Sequence, residues 1–232
     1  MIKITTTRQS VEWVKLMVYG ETGVGKTELI RTAPDPVMIS VEQKENCLRK
    51  HNIPTYRVST FEEAEEVVDR LLGDDGKQFK TICLDSSSEI AEMLLDEIDV
   101  PHTEGKNEGK PKNTMQVYGE LGRRGLRFFK RFREFQDKHL YMIAKMSKKN
   151  DEFSGLPRWA PSMPGNMLAN GLPYILDYVF PMHKAETEDG FKYRYLQTES
   201  DVKCLVNGDK TLFDPVEEPD LTKLFNKILK GE

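Results

Sequence analysis

Short apolar runs alternate with amphipathic stretches along most of this chain. Continuous apolar runs predict buried strands at 14–20, 36–42, 79–85 and 139–145, with further strands at 174–184 and 192–199. Apolar residues at helical spacing predict helices at 26–33, 59–73, 87–98, 118–138 and 219–230. Because strands that alternate with helices form parallel sheets, the pattern predicts an α/β fold. We expect a mostly parallel central sheet with helices on both faces.

Two stretches interrupt this alternation and are predicted to be irregular loops. Residues 101–116 have almost no apolar side chains, and residues 146–166 contain three prolines. The helix predicted at 118–138 lies between them and combines an aromatic stripe with many arginines. We expect the stripe to pack on the sheet and the basic face to be solvated.

Composition limits what kind of protein this is. The 232 residues suit a core at 1–185 with a small C-terminal β/α extension at 186–232, packed together as one globular domain. The net charge of −4 means that any nucleic-acid surface has to be a local patch. Three widely spaced cysteines predict reduced thiols, and no apolar run approaches the roughly 18 residues of a membrane span. A cytoplasmic protein without a membrane partner is expected.

One glycine-rich stretch carries specific chemistry. Residues 20–27, GETGVGKT, fit the pattern G-x-x-x-x-G-K-[ST] between a predicted strand and a predicted helix. Main-chain N–H groups of such a loop bind phosphate oxygens, the lysine reaches the β- and γ-phosphates, and the hydroxyl binds Mg²⁺. The predicted nucleotide-binding residues are Gly20, Glu21, Thr22, Gly23, Val24, Gly25, Lys26, Thr27 and Glu28. A chance lysine in a glycine-rich turn is the alternative, and the strand and helix around the loop argue against it.

Acidic residues at the ends of two other strands are candidates for the rest of the site. Asp85 ends the strand at 79–85 and is predicted to hold Mg²⁺ together with Thr27; the alternative is a helix N-cap. Glu42 ends the strand at 36–42, at the edge where α/β sheets bind ligands. Its carboxylate could polarise the attacking water, or it could be an ordinary surface glutamate, and Glu45 and Glu89 are further candidates for this base.

Lys145 ends the strand at 139–145 at the same predicted edge. A polar side chain there could sense the γ-phosphate and pass its state to the loop that follows. A solvated lysine at a strand end is the alternative. Lys26, Glu42 and Lys145 are therefore the predicted catalytic residues.

Several stretches together resemble the RecA-type recombinase core. They resemble more narrowly the phage nucleotide-binding proteins described as single-strand annealing or recombination ATPases. The matching stretches are GETGVGKT, MISVEQKE, TICLDSSSEI, HLYMIAK and PSMPGNMLANGLPYILDYVFPM, and they span about residues 14–184. The tail from Val202 to Leu229 also resembles the ending of those phage proteins. The resemblance implies a RecA-like P-loop NTPase fold over the predicted core.

That resemblance implies hydrolysis of ATP with Mg²⁺, coupled to binding of single-stranded DNA. It also implies a homo-oligomer in the cytoplasm of a bacterial host, with a single-stranded DNA-binding protein as a further partner. In RecA-type proteins the loops after the third and fourth strands contact DNA. The side chains that would do so here are Lys106, Lys110 and Lys112 in 101–116, and Lys148, Lys149, Arg158 and Trp159 in 146–166.

The resemblance leaves several functions open. The fourth strand ends in Ala144-Lys145, where RecA itself has an amide-bearing pair, and this favours annealing or DNA-stimulated ATPase activity over strand exchange. Arg123 or Arg124 could reach the γ-phosphate of a neighbouring subunit. A small-molecule or nucleotide kinase and a non-catalytic, nucleotide-gated DNA-binding module are the alternatives.

Overall fold

A nine-stranded sheet forms the centre of the protein in a computed structural model, which describes residues 12–101, 109, 112–150, 155–201 and 203–231. The strands are β1 (Lys15–Gly20), β2 (Pro36–Ser40), β3 (Thr55–Arg57), β4 (Thr81–Asp85), β5 (His139–Asn150), β6 (Pro157–Pro161), β7 (Tyr178–Glu186), β8 (Lys192–Gln197) and β9 (Val216–Glu217).

The strand order places the carboxyl ends of six strands at one edge. The order is β3-β2-β4-β5-β1-β7-β8-β9, and β6 pairs with β5 outside this path. Neighbouring strands from β3 to β7 are parallel, whereas β6, β8 and β9 pair in antiparallel fashion. The α/β fold class with a mostly parallel sheet, predicted from the alternating pattern, is confirmed. β5 lies between β1 and β4, so residues at the ends of these three strands face a common corner.

Helices cover both faces of the sheet, as predicted. They are α1 (Phe61–Leu72), α2 (Ser87–Ile98), α3 (Thr114–Arg131), α4 (Asn166–Gly171) and α5 (Leu221–Lys230). Short 3₁₀ helices occur at Glu28–Thr32, Glu45–His51, Asp74–Gly76, Phe132–Glu134, Leu172–Ile175 and Lys210–Leu212. The first four α-helices bury one core cluster, and α5 with Glu28–Thr32 buries the other. In the part of the chain that the structure describes, no helix is both long and apolar enough to cross a membrane.

Local signals explain where the helices beside the site begin. The Ser86 hydroxyl accepts a hydrogen bond from the N–H of Glu89 at 3.3 Å, which caps α2 immediately after β4. Thr60 caps α1 in the same way, through the N–H of Glu63. The aromatic stripe predicted in α3 is buried, with the rings of Phe128 and Phe61 5.0 Å apart. These contacts fix the helices on the sheet and thereby the direction in which each strand end points.

The structure differs from the sequence prediction at several elements, and β3, β9 and α4 have no counterpart in that prediction. The helix predicted at 26–33 is only the five-residue 3₁₀ helix Glu28–Thr32, because Pro34 and Pro36 prevent its extension. The helix predicted at 118–138 begins earlier, at Thr114, and ends at Arg131. The prediction of an irregular loop at 146–166 is wrong, because β5 continues to Asn150 and pairs with β6 to form a β-hairpin.

The predicted division into a core at 1–185 and an extension at 186–232 stays a prediction. The later residues add β8 and β9 to the edge of the common sheet. Leu221 and Phe225 of α5 are buried in the same cluster as Leu16 and Val18 of β1.

Candidate nucleotide-binding site

The predicted phosphate loop, Gly20–Thr27, begins at the carboxyl end of β1. Gly23 and Gly25 have φ angles of 73° and 110°, which other residues rarely adopt. Gly20 is packed so closely that a Cβ atom there would lie 2.8 Å from the main-chain oxygen of Met182 in β7. The glycine spacing is therefore required by the path of the loop.

The element after the loop is shorter than the motif led us to expect. Leu29 and Ile30 of the helix Glu28–Thr32 are buried, and the N–H of Leu29 donates to the main-chain oxygen of Gly25 at 3.1 Å. A helix of fewer than two turns has a small dipole. The positive potential at this loop therefore comes mainly from Lys26 and from main-chain N–H groups.

Lys26 lies across the loop that it belongs to. Its Nζ donates to the main-chain oxygens of Gly20 at 2.7 Å and of Glu21 at 2.9 Å. Burial lowers the pKa of this ammonium, and the charges of Asp85 and Glu42 oppose that shift. The hydroxyl of Tyr141, a buried residue of β5, donates to the main-chain oxygen of Lys26 at 2.9 Å. The lysine is thus held at the corner by contacts on both its side chain and its main chain.

Thr27 and Asp85, the predicted magnesium ligands, are in direct contact. The Thr27 hydroxyl donates to Asp85 Oδ2 at 2.6 Å. Asp85 is 5% exposed, and burial raises its pKa to about 6 although the bond from Thr27 opposes the shift. A hydroxyl and a buried carboxylate are hard oxygen donors of the kind that Mg²⁺ prefers. The two residues therefore fit a magnesium ion beside the loop.

The strand predicted to end in Glu42 ends at Ser40, and Glu42 lies two residues beyond it, next to this pair. Its Oε1 accepts a hydrogen bond from the Ser86 hydroxyl at 3.0 Å, and its Oε2 is 3.2 Å from Lys44 Nζ. The side chain is 22% exposed, so water can reach the carboxylate. Its charge contributes to the raised pKa of Asp85. Of the alternative bases, Glu45 hydrogen-bonds Ser40 and Arg57, and Glu89 pairs with Lys145.

Lys145, predicted to end its strand, lies within β5, which continues to Asn150. Its position is level with the phosphate loop, but its ammonium does not point to the loop. In the pairing of β5 with β1 it lies opposite Gly20. Its Nζ is 2.5 Å from Glu89 and 2.8 Å from Glu92 of α2. These two carboxylates hold the ammonium on the side of α2.

The cations predicted to contact DNA lie in different settings. Lys106 and Lys110 lie outside the described residues, and Lys112 Nζ donates to the main-chain oxygen of Ile98 at 2.8 Å. On the hairpin, Lys148 pairs with Trp159 and its Nζ is 5.8 Å from the centre of the indole ring. Trp159 is 37% exposed, so it is not packed inward.

The other two hairpin cations hydrogen-bond within the protein. Lys149 Nζ donates to the main-chain oxygen of Met163 at 3.4 Å, and Arg158 donates to that of Cys204 at 3.1 Å. The hairpin therefore has one outward pair, Lys148 and Trp159, and one pair directed at neighbouring chain segments.

The two arginines considered for contact with a neighbouring subunit have partners within their own chain. Arg124 pairs with Glu97 at 2.7 Å and lies over the ring of Phe61. Arg123 Nε donates to the main-chain oxygen of Gly119 at 3.4 Å. The role of either in another subunit's site stays a prediction.

Sequence reasoning missed two residues that touch the phosphate loop. Tyr141 is one of them, and Arg194 of β8 is the other: a Cβ atom on Gly25 would lie 2.7 Å from its Nη1. Arg194 follows the loop by well over a hundred residues, and only the pairing of β8 with β7 brings it there. A strand pattern alone carries no information on such a contact.

The parallel sheet and the glycine-rich loop at its carboxyl edge define a P-loop ATPase with a RecA-like α/β fold. A sequence model described as an AAA domain matches residues 12–205, and this chain belongs to that family. An AAA-type P-loop domain binds ATP with Mg²⁺. No curated protein matches the chain.

Proposed function

We propose that this chain is a DNA-stimulated ATPase that acts on single-stranded DNA in phage recombination, annealing or replication. The convergence of Lys26, Thr27 and Asp85 on one corner of the sheet is the observation that carries the ATPase part. The outward pair of Lys148 and Trp159 supports the DNA part.

In this proposal, main-chain N–H groups of Gly20–Thr27 and the Lys26 ammonium bind the phosphates. Thr27 and Asp85 would hold Mg²⁺, which when bound neutralises charge on the β- and γ-phosphate oxygens. Because Asp85 has a pKa of about 6, it is ionised and able to bind the metal at neutral pH.

Glu42 is the proposed base that orients the attacking water. It is the carboxylate joined by a hydrogen bond to Ser86, the residue after Asp85, and it is open to water. An ionised carboxylate has about four acceptor sites, so Glu42 can bind a water while Ser86 and Lys44 hold the side chain on the correct side of the corner.

Single-stranded DNA would bind on the outward face of the hairpin. Lys148 would neutralise a phosphate, and Trp159 would stack on a base. Two hydrogen bonds connect this hairpin to the nucleotide corner. Tyr19, the residue before Gly20, donates to the main-chain oxygen of Trp159 at 3.1 Å, and Ser88 of α2 donates to that of Ser162 at 2.7 Å. A change at the phosphate loop therefore has a direct route to the DNA face.

Phosphate release measured with and without single-stranded DNA tests the proposal. We expect that ATP hydrolysis requires Lys26 and increases when single-stranded DNA is added. This increase should be lost in Trp159→Ala. Lys80→Ala is the matched lysine control, since Lys80 pairs with Asp35 just before β4 and far from the corner. Hydrolysis that ignores DNA in every variant would contradict the DNA role, and a Glu42→Gln variant with unchanged turnover would remove Glu42 as the base.

A kinase is the second candidate, favoured by a cavity of about 710 Å³ between the helix Glu45–His51 and β3. Glu45, Arg49, Asn52 and Arg57 are among the residues that line it, and Glu45 also bonds Ser40 at the end of β2. An acceptor molecule bound there would receive the γ-phosphate in place of water. Transfer of labelled phosphate to a nucleotide acceptor, at a rate unaffected by DNA, would favour the kinase. No turnover at all would favour a nucleotide-gated binding module.

A further inference from the structure

Arg194 lies directly against the phosphate loop, although it belongs to the antiparallel part of the sheet. A Cβ atom on Gly25 would be 2.7 Å from Arg194 Nη1 and 3.0 Å from its Cζ, so the guanidinium rests on the glycine itself. Nη1 also bonds Glu28 Oε2 at 2.5 Å. Gly25 therefore leaves room for the arginine as well as for the turn of the loop.

The contact with Glu28 leaves most of the guanidinium available. Its N–H groups offer five donors, and among the described residues only Nη1 is used, toward Glu28. The arginine and glutamate side chains are 40% and 37% exposed, and an ion pair this exposed contributes little stability. Arginine binds the oxygens of phosphate and of carboxylate in the same bidentate manner, and a polyphosphate offers more oxygens and more negative charge than one exposed carboxylate.

The charges around the loop favour a further cation, in addition to Lys26 and Mg²⁺, when a polyphosphate binds. Glu21, Glu42 and Asp85 interact electrostatically with Lys26, which is the one cation of the loop sequence itself. Glu28 adds a fourth carboxylate nearby, and its Oε2 is 2.5 Å from Arg194 Nη1. An incoming phosphate chain meets these negative charges, and Arg194 is a second cation that already touches the loop.

We propose that Arg194 is a further phosphate-binding residue, held by Glu28 until phosphate oxygens on the loop replace that carboxylate. This inference rests on the proposed nucleotide site at Gly20–Thr27. Arg194 would contact the phosphates from β8, on the side of β1 opposite to β4 and Asp85. Glu28 would then compete with the bound phosphates for the guanidinium group.

Equilibrium binding of ATP with Mg²⁺, and of inorganic tripolyphosphate as a probe without a base, tests the contact. We expect Arg194→Ala to weaken both ligands by a similar factor of about 10 to 100, the range for one charge-assisted phosphate contact. Arg194→Lys should recover part of the affinity. Arg70→Ala is the matched control, because Arg70 is an exposed arginine bonded to one glutamate on α1. Weaker ATP binding with unchanged tripolyphosphate binding would overturn the phosphate contact.

A double-mutant cycle tests the competition. Glu28→Gln should tighten ATP binding several-fold in the parent protein, since Arg194 no longer has to leave a carboxylate. In the Arg194→Ala background the same substitution should have a clearly smaller effect. An equal gain in both backgrounds would show that Glu28 acts only through its own charge, and it would overturn the exchange of partners.

Lys26→Ala separates this inference from the proposed function. If Lys26→Ala binds ATP as the parent does, the loop is not the nucleotide site and the proposed function fails. If Lys26→Ala loses binding while folded Arg194→Ala and Arg194→Lys bind as the parent does, the inference alone fails. Circular dichroism and Tm establish that each variant is folded.

Discussion

The phosphate loop and the β5–β6 hairpin start side by side at one edge of the sheet, but they hold their cations differently. Gly20 and Lys145 are partners in the pairing of β1 with β5, so the loop and the hairpin diverge from the same level. At the loop, Lys26 is partly buried, bonded to main-chain oxygens and close to Asp85. On the hairpin, Lys148 and Trp159 are exposed.

Under the proposed function, this difference suits two kinds of ligand. Charges that are buried and connected by hydrogen bonds have one geometry, which suits a compact ligand of fixed shape. An exposed lysine over an indole ring suits a flexible polyanion whose bases can stack. Activity at the corner should therefore change when a single atom is replaced, whereas ligand binding at the hairpin should depend on salt concentration.

Asp85→Asn removes the buried negative charge at the corner, and of these variants it should have the largest effect on ATP hydrolysis. The amide keeps an oxygen that accepts the Thr27 hydrogen bond, but it removes the charge that would bind Mg²⁺. We expect ATP hydrolysis to fall by about 100-fold or more, because loss of metal stabilisation amounts to several kcal/mol. Phosphate release under saturating ATP measures it, with Asp177→Asn as the control, since Asp177 bonds the N–H of Lys15 at the start of β1.

The same variant should be more stable than the parent at pH 7. Burial raises the pKa of Asp85 from an ordinary 3.8 to about 6, so the ionised carboxylate opposes folding at neutral pH. Removing it should raise the free energy of unfolding by about 1–3 kcal/mol. Below pH 6 the folded protein protonates Asp85 first, so the difference should shrink and vanish near pH 4. His139, with a pKa lowered to about 4 by burial, titrates in both proteins and cancels. A difference that does not depend on pH would contradict the assignment.

The corner could be predicted from the sequence because its parts are either adjacent or placed by strand ends. Eight consecutive residues specify the loop, and an apolar strand that ends in Asp85 places the carboxylate at the same edge. Thr27 and Asp85 are accordingly in contact. The contacts of Arg194 and Tyr141 with the loop depend on strand order, which no local pattern encodes.

The hairpin was missed for a related reason. Three prolines and many polar residues in 146–166 indicate a loop, yet Pro157 and Pro161 lie at the two ends of β6. Prolines are tolerated at the ends and edges of sheets, and among the described residues β6 pairs along its length with β5 and on its other side only through the bridge of Trp159 to Cys204. The pairing of Lys148 with Trp159 is a contact across two strands, so their common face becomes visible only when the strands are aligned.

Separate lysine variants sharpen the contrast within the hairpin. Lys148 is exposed beside Trp159, whereas Lys149 is half-buried and donates to the main-chain oxygen of Met163. Lys148→Ala should weaken binding of single-stranded DNA by about 5- to 10-fold at low salt. It should also reduce the slope of log K against log salt by about 0.7, the value for one phosphate contact. Lys149→Ala should change the slope less and lower Tm more. Equal slopes in both variants would mean that the two faces of the hairpin are equivalent.

The smallest change that distinguishes the corner from the hairpin is removal of one hydroxyl group, from either of two buried tyrosines. Tyr19 donates to the main-chain oxygens of Leu205 at 2.7 Å and Trp159 at 3.1 Å, whereas Tyr141 donates to that of Lys26. Each loss should cost about 1 kcal/mol of stability, which makes the variants matched controls for each other. Tyr19→Phe should reduce the stimulation of hydrolysis by DNA two- to five-fold and keep the KM for ATP. Tyr141→Phe should raise that KM by a similar factor and keep the stimulation, because its hydroxyl supports the loop. If both variants changed the same parameter, the corner and the hairpin would form one unit, and the comparison between them would fail.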